Sequence, residues 1–227
     1  MPHQARLIDT KNVGTIVIAD DHPMFRHALV MRVTADYPSA VVLEAEAIDR
    51  LHELLMQHNN VDLVLLDLNM PGSHGLSSLI HVRATNPALC VVVVSANEDP
   101  TTIRRALQLG AAGFIPKSSS LEVMSIALAK VLAGSRYVPE VLNGLSVPAL
   151  NDEIQSGARK IGSLTPQQFR IASMLAQGAL NKQIAWQLNI TEATVKVHMR
   201  TIMEKLDVRN RTQVALLFQT FDETTHH

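Results

Sequence analysis

The feature of this sequence that most restricts its fold is an alternation of two patterns over the first 130 residues. Longer stretches with helical periodicity separate five short runs, most of them rich in β-branched residues, at residues 15–19, 40–45, 62–68, 90–96 and 113–116. This alternation is typical of repeated βαβ units, whose strands lie parallel in one sheet. The third and fourth runs are almost entirely apolar, as expected for strands that helices cover on both faces. We therefore predict an α/β domain over residues 14–134, with an open, doubly wound parallel sheet.

The rest of the chain follows a different pattern. Residues 135–163 lose the periodicity and contain several prolines and glycines, which predicts a linker. Residues 164–221 have helical periodicity only and predict a small all-α domain of four helices. Its second and third helices are separated by Asn189-Ile190-Thr191, the short turn of a helix-turn-helix. The sequence thus predicts two domains of different class.

Composition and charge exclude several classes of protein. With 227 residues, 47% of them hydrophobic, the chain can form ordinary globular cores. It contains no apolar run of the roughly 18 to 20 residues that span a bilayer, and its N-terminus does not resemble a secretory signal. We therefore expect a cytoplasmic protein with no membrane partner. The net charge is −1, but residues 164–227 contain seven Lys and Arg against five Asp and Glu, a positive bias compatible with nucleic acid.

The ends of the predicted strands carry a chemically coherent set of side chains. Asp20 and Asp21 follow the first strand, Asp67 ends the third, Ser95 the fourth, and Lys117 follows the fifth. Parallel strands bring their carboxyl ends to one edge of the sheet, where ligands bind in open α/β folds. Three converging carboxylates repel one another unless a cation compensates, and oxygen ligands favour Mg²⁺ or Mn²⁺. With such an ion, one carboxylate can attack a phosphoryl group while an ammonium and a hydroxyl hold its oxygens.

The motifs ADDH, LLDLNMPG and GFIPK, with Ser95, resemble the receiver domain of bacterial two-component response regulators over about residues 14–134. The resemblance implies that Asp67 accepts a phosphoryl group from a sensor histidine kinase. It also implies that Asp20, Asp21, Asp67 and the Asn69 carbonyl serve the magnesium ion, with Asp20 acting through water. Ser95 and Lys117 would contact the phosphoryl group, and Phe114 would be a switch aromatic that swings inward.

The third predicted helix of the second domain, residues 192–206, has two distinct faces. Val195, Met199, Ile202 and Leu206 recur at helical spacing and predict the buried side. Lys196, Val197 and Arg200 cluster on the opposite side. An apolar residue between two cations suits a helix in the DNA major groove, where the cations meet phosphates or guanine and the apolar group meets a thymine methyl.

Residues 164–216 resemble the four-helix DNA-binding domain of LuxR/NarL-type regulators, through NKQIA, ITEATVKVH and KLDVRNR. The resemblance implies that Lys196 and Val197 read bases, that Arg200 reaches bases or phosphate, and that the last helix, near residues 212–218, pairs two copies. It also implies a set of backbone contacts, namely Thr191, Thr194, Asn181, Lys182 and Lys205. Gln168 stands where the family usually has glutamate, so we expect an internal ion pair to be missing. Met174 and Trp186 are predicted to be core residues.

Together these patterns predict a phosphorylation-controlled transcriptional regulator of the NarL/FixJ class. It would bind double-stranded DNA, dimerise when phosphorylated, and perform no chemistry beyond its own phosphorylation and acylphosphate hydrolysis. By resemblance, the unphosphorylated receiver would cover the recognition helix. Two alternatives stay open: DNA binding independent of phosphorylation, and a Mg²⁺-dependent phosphohydrolase. The second is disfavoured because Asn69 stands where such enzymes usually have a second acid.

Overall fold

The computed structural model describes residues 13–142 and 150–222. Its first part contains a five-stranded sheet whose neighbouring strands all pair in parallel, in the order β2-β1-β3-β4-β5. The strands are β1 (Thr15–Ala19), β2 (Val41–Ala45), β3 (Val61–Leu66), β4 (Cys90–Ser95) and β5 (Gly113–Pro116). Each lies within two residues of its predicted bounds. The doubly wound α/β prediction is therefore confirmed.

Five helices cover the two faces of this sheet. They are α1 (Pro23–Asp36), α2 (Ile48–Gln57), α3 (Leu76–Thr85), α4 (Pro100–Gln108) and α5 (Leu121–Leu132). Buried residues of α1 and α5 pack with one set of alternating strand side chains, and those of α2, α3 and α4 pack with the other set. Local capping fixes two helix starts: Asp99 accepts from the Thr102 amide, and Ser120 from the Val123 amide. The pattern Ser119-x-x-Glu122 predicts a cap at Ser119, so the helix begins one residue later than its sequence indicates.

The segment predicted as a linker contains regular structure. A 3₁₀ turn spans Glu140–Leu142 and an eleven-residue helix, α6, spans Asp152–Gly162. Residues 143–149 lie outside the described residues. Asn151 caps the first turn of this helix. Acidic residues in the first turn and basic residues in the last turn interact favourably with the helix dipole. Two glycines within it, Gly157 and Gly162, made the stretch look irregular, and residues 152–162 are helical where no regular structure was expected.

The C-terminal part is helical, as predicted, with α7 (Pro166–Ala176), α8 (Asn181–Gln187), α9 (Glu192–Leu206) and α10 (Arg211–Gln219). Thr165 and Gln168 form the predicted capping box, and Thr191 caps α9 by accepting from the Thr194 amide. Val195, Ile202 and Leu206 are fully buried. The sequence placed this stripe correctly, and α6 adds a fifth helix beside the four predicted.

One residue of this domain lies where we did not expect it. Trp186 was predicted to be core, but its side chain is 83% exposed. The preceding residues, Ile184 and Ala185, supply the buried side of the short helix α8, which turns the next position towards solvent. Met174 of α7 is buried, as predicted.

The two domains pack against each other through the α2–α3 side of the sheet domain. One continuous hydrophobic cluster includes residues of α2 and α3 together with residues of α6, α7 and α10. The Leu76 amide, at the first turn of α3, donates to the Phe221 carbonyl at 2.8 Å. Ser173 Oγ donates to the Gly72 carbonyl at 2.9 Å, and Asp49 pairs with Arg170 at 2.6 Å. We call this contact the interdomain interface.

Among the described residues, no helix combines the length and apolar character that a bilayer crossing requires.

Candidate functional site

The strand order reverses between β1 and β3, and this is where the predicted acidic site forms. Asp20 and Asp21 directly follow β1, and Asp67 directly follows β3. The Asp67 amide donates to the Ala19 carbonyl at 2.8 Å, which holds the two strand ends side by side. Asp20 and Asp67 are each only 1% exposed. Because an isolated buried carboxylate is costly, two of them in one place require a compensating cation.

Lys117, which follows β5, supplies positive charge at this site. Its Nζ lies 2.7 Å from Asp67 Oδ2 and 2.8 Å from Asp20 Oδ2. Burial raises the pKa of Asp67 above its usual value, against the opposing effect of the Lys117 hydrogen bond. Burial would lower the pKa of Lys117, but its hydrogen bonds to Asp20 and Asp67 outweigh this and raise it. Lys117 therefore favours the ionised form of Asp67, and the two carboxylates favour the charged form of Lys117.

The donor set at this site fits a divalent cation. Asp20, Asp21, His22 and Asp67 each place one ligand atom within 4.8 Å of all the others. Carboxylate oxygens are the ligands that Mg²⁺ prefers, and the cluster is acidic enough to need further positive charge. The Asn69 amide donates to Asp67 Oδ1 at 3.1 Å, so Asn69 also lies beside the acceptor, as expected.

Sequence reasoning missed His22, whose Nδ1 lies 2.8 Å from Asp21 Oδ1 and 3.2 Å from Lys117 Nζ. The residue stood inside the quoted motif ADDH, and its position directly after two acids was the signal that could have identified it. The structure therefore adds an imidazole at the exposed side of the acidic cluster.

The other two predicted residues line the neighbouring strands. Ser95 is fully buried at the end of β4, and its Oγ accepts a hydrogen bond from the Asn97 amide at 3.1 Å. The Lys117 amide donates to the Ser95 carbonyl at 2.8 Å, so the ends of β4 and β5 are joined. Phe114 is fully buried in the core that also includes Ile103 of α4. Its ring already occupies the inward position, so an outward ring, as the resemblance implied, is not what this structure shows.

The face of α9 predicted to meet DNA is open to solvent. Val197 is 66% exposed, Lys196 is exposed, and the Arg200 side chain is 83% exposed and pairs with Glu204 at 3.0 Å. The helical domain contacts the sheet domain through α6, α7 and the residues after α10 instead, at Gly162, Ser173 and Phe221. The expectation that the receiver covers the recognition helix is therefore wrong for this arrangement, because the interface uses another side of the helical domain.

The predicted DNA-backbone contacts differ in their surroundings. Thr191 is exposed and Thr194 partly so at the start of α9, where their hydroxyls lie 2.9 Å apart. Asn181 and Lys182 begin α8, and Lys182 is exposed. Lys205 instead points inward: its Nζ donates to the Ser163 carbonyl and to Gln168 Oε1, each at 2.8 Å. Lys205 thus has a role within the domain, and its side-chain partner there is the neutral Gln168.

A doubly wound sheet with a lysine-bridged aspartate cluster, joined to a helix-turn-helix domain with an exposed basic helix, defines a two-domain regulator. Residues 16–129 match the response regulator receiver domain, and residues 162–218 match the bacterial regulatory proteins of the luxR family. The chain belongs to the response regulators that combine these two domains, which are transcriptional regulators.

Individual relatives agree with this assignment over almost the whole chain. The glycerol metabolism activator of Pseudomonas putida is 40% identical, over 93% of this chain and 97% of its own length. The nitrate/nitrite response regulator NarL of Escherichia coli K12 is 34% identical, over 89% and 94%. The structure is similar to that of RcsB from Salmonella enterica serovar Typhimurium, solved on promoter P1flhDC DNA with the phosphomimetic BeF₃⁻. That similarity has a TM-score of 0.53 at 25% identity and covers 91% of this chain and 98% of the other.

Proposed function

We propose that this response regulator accepts a phosphoryl group on Asp67 from a sensor histidine kinase and thereby controls its binding to double-stranded DNA. The observation that carries the proposal is the Lys117 ammonium, which contacts Asp67 at 2.7 Å inside a buried cluster of acids. This ion pair lies at the edge of the sheet where ligands bind in such folds. Its position indicates a functional site rather than a purely structural contact.

The chemistry is a transfer of a phosphoryl group to an aspartate. A carboxylate oxygen of Asp67 forms the new P–O bond, while the P–N bond to the kinase phosphohistidine breaks and leaves the imidazole with the electron pair. Lys117 Nζ, 2.7 Å from the acceptor carboxylate, is placed to donate to a phosphoryl oxygen, and the Ser95 hydroxyl lies at the adjacent strand end. Asp67 must be ionised to attack, and Lys117 favours that state. Hydrolysis of the acylphosphate by water returns the carboxylate.

A magnesium ion would be held by Asp21 and Asp67, with Asp20 through water and the Asn69 carbonyl. When bound, it offsets the negative charge of the carboxylates and of the phosphoryl oxygens. His22 Nδ1 lies 2.8 Å from Asp21 Oδ1 at the exposed side of the acidic cluster, where it would adjoin a bound ion. Manganese, with the same preference for oxygen ligands, would substitute.

On the DNA side, we propose that Lys196 and Val197 contact base edges in the major groove and that Arg200 contacts bases or phosphate. Arg200 must first leave Glu204, an exposed pair worth well under 1 kcal/mol. A further set would hold the DNA backbone, namely Thr191, Thr194, Asn181 and Lys182. Two phosphorylated copies would dimerise, with α10 contributing to the contact.

Phosphorylation and DNA contact can be tested separately. Incubation with acetyl phosphate and Mg²⁺ should add one acid-stable, base-labile phosphoryl group to the wild type, none to Asp67→Ala, and none after chelation of the metal, as read by intact mass. Lys196→Ala should phosphorylate normally but bind promoter DNA at least fivefold more weakly. The exposed Lys130→Ala, on the other domain, is the matched control and should change neither. Equal labelling of Asp67→Ala would refute the assignment of the acceptor.

One observation favours the second candidate, DNA binding independent of phosphorylation. The reading face of α9 is accessible even while the domains are packed together. Accessibility of this face alone therefore does not create a phosphorylation switch. The Asp67→Ala variant separates the candidates. It should bind DNA as tightly as the phosphorylated wild type only if DNA binding does not depend on Asp67.

A further inference from the structure

Three histidines lie buried where the two domains meet, and neither phosphorylation nor DNA binding uses them. His52 of α2 is 6% exposed, His81 of α3 is 0% exposed, and His74 precedes α3. His81 stacks on Phe169 of α7, with ring centroids 4.3 Å apart and planes 18° apart. His52 meets the same phenyl ring edge-on at 6.0 Å. The imidazoles of His52 and His81, here called the imidazole pair, are therefore shielded from solvent by the helical domain.

The imidazole pair forms a hydrogen-bonded chain that crosses the interdomain interface. His81 Nε2 lies 3.1 Å from the Leu164 carbonyl, and His81 Nδ1 lies 3.0 Å from His52 Nε2. A carbonyl oxygen only accepts, so Nε2 of His81 must carry its proton. In neutral His81 this makes Nδ1 the acceptor, and Nε2 of His52 must then donate to it. The geometry thus fits a fully neutral pair with defined tautomers.

Burial outweighs the contact that favours a proton on this pair, the hydrogen bond of His81 to the Leu164 carbonyl. Burial lowers the pKa of His52 to about 3, with His81 adding to the effect, and burial lowers the pKa of His81 to about 4. Asp49, one turn before His52, is occupied by Arg170 of α7 at 2.6 Å. Charged groups of the neighbouring helices also have partners of their own: Lys160 of α6 pairs with Asp207, Lys205 of α9 donates to Gln168, and Arg83 of α3 donates to the Leu89 carbonyl.

His74 differs from the pair because it has an acidic neighbour. Its Nδ1 lies 3.5 Å from Asp222 Oδ2 across the interface, and its ring meets Phe218 edge-on at 5.7 Å. Burial lowers the pKa of His74, and Asp222 opposes this. A proton on His74 is therefore less costly to the closed arrangement than a proton on the pair.

We propose that the imidazole pair of His52 and His81 is a proton-sensitive latch, which holds the two domains together at neutral pH and releases them as the pH falls. The latch is independent of phosphorylation, and it acts on the packing of the two domains rather than on the reading face of α9, which is open in the closed arrangement.

The direction of the pH effect follows from which arrangement of the two domains binds protons more tightly. The pKa of both imidazoles is lowered in the closed arrangement and returns to about 6.5 when the helical domain departs. Protons therefore bind preferentially to the open arrangement. The stabilisation of the closed arrangement is complete above about pH 6.5 and declines progressively as the pH falls towards about 4 and 3, the values of the buried pair.

The expected size is large. At about pH 5.5 an exposed imidazole of ordinary pKa is protonated about ten to one, while the buried pair stays neutral. One histidine then shifts the ratio of open to closed molecules by about tenfold relative to pH 7.5. The second adds less than another tenfold, because His52 and His81 stay on neighbouring helices of the sheet domain and repel each other when both are protonated.

Amide hydrogen exchange of the full-length protein measures this shift directly. The Leu76 amide bonds to the Phe221 carbonyl across the interface, so its protection reports opening, whereas the Ile18 amide at the centre of the sheet reports global unfolding. Corrected for intrinsic exchange, protection of Leu76 should fall by between about ten- and 100-fold from about pH 7.5 to about pH 5.5, while protection of Ile18 should fall much less.

The double variant His52→Gln/His81→Gln supplies the decisive comparison. Glutamine offers one donor and one acceptor, like a neutral imidazole, but does not titrate. Even if the double variant weakens the interface at every pH, the protection of its Leu76 amide should become nearly independent of pH. The exposed His27→Gln, on α1, is the matched control and should behave as wild type.

The proposal is overturned if Leu76 protection in the wild type is flat across this range, or if the double variant keeps the wild-type dependence. Because the readout involves neither phosphate nor DNA, Asp67→Ala should show the same acid response as the wild type. A failure of the phosphorylation proposal would therefore leave this result unchanged.

Discussion

Gly162, at the end of α6, offers a way to loosen the interdomain interface without touching a polar group. A Cβ at this position would lie 2.7 Å from the Ala84 Cβ of α3. Carbon atoms in contact prefer about 3.5–4.0 Å, so Gly162→Ala requires α6 and α3 to move apart by about 1 Å. Its φ lies outside the left-handed region, so an alanine fits the backbone. The clash between the domains is then the main change.

The magnitude follows from the cost of overpacking, about 1–3 kcal/mol. Because Ala84 is exposed and can yield, we expect the low end, about 1 kcal/mol, which shifts the ratio of open to closed molecules about fivefold. Alanine also favours α6 itself by about 0.5–1 kcal/mol, but it does so in both arrangements and leaves the ratio unchanged.

The Leu76 amide is again the reporter, and exchange should be about fivefold faster in Gly162→Ala with Ile18 unchanged. The compensating double variant Gly162→Ala/Ala84→Gly removes the clashing methyl group and should restore wild-type exchange. The packing argument is refuted if the single variant exchanges like the wild type. It is also refuted if Leu76 and Ile18 accelerate equally, since that would report global destabilisation.

Three further predictions test the site and the helical domain by urea denaturation of the full chain. Lys117→Ala leaves the buried Asp67 without its cation and should lower the free energy of unfolding by about 2–3 kcal/mol, which is less than the loss expected for a fully buried pair. Adding Mg²⁺ should restore part of this loss. An unchanged free energy of unfolding would contradict the ion pair. Gln168→Glu restores a charged partner for Lys205 and should add about 0.5–1 kcal/mol, and a loss would show that burial outweighs the pairing. Trp186→Ala removes an exposed ring and should change stability by less than about 0.5 kcal/mol, whereas a loss above about 3 kcal/mol would restore the core assignment.

The sequence predicted those parts of the structure that depend on local pattern. Strand β3 is recognisable from its apolar run, and the acids at its end could be assigned to one sheet edge because parallel strands share that edge. The capping box of Thr165 and the buried stripe of α9 likewise depend only on spacing. The resemblance implied that Lys117 contacts the phosphoryl group, and in the structure its ammonium lies 2.7 Å from Asp67 Oδ2.

What the sequence did not predict depends on contacts between distant residues. Helix α6 was missed because Gly157 and Gly162 look like loop residues, but both are small where another helix approaches closely. The interdomain interface is partly polar, and His52 and His81 have no local motif that distinguishes a buried imidazole from an exposed one. Periodicity tells which face of a helix is buried, but it does not tell which other element buries it.

The central claim is that Asp67 controls DNA binding, and one measurement tests it most directly. It is the affinity for a promoter-derived or selected DNA site at fixed salt, with and without beryllofluoride and Mg²⁺, for the wild type and for Asp67→Ala. The account predicts that beryllofluoride with Mg²⁺ tightens binding by the wild type and leaves Asp67→Ala unchanged. Four equal affinities would contradict it and would identify a DNA-binding protein that works without the phosphoryl switch.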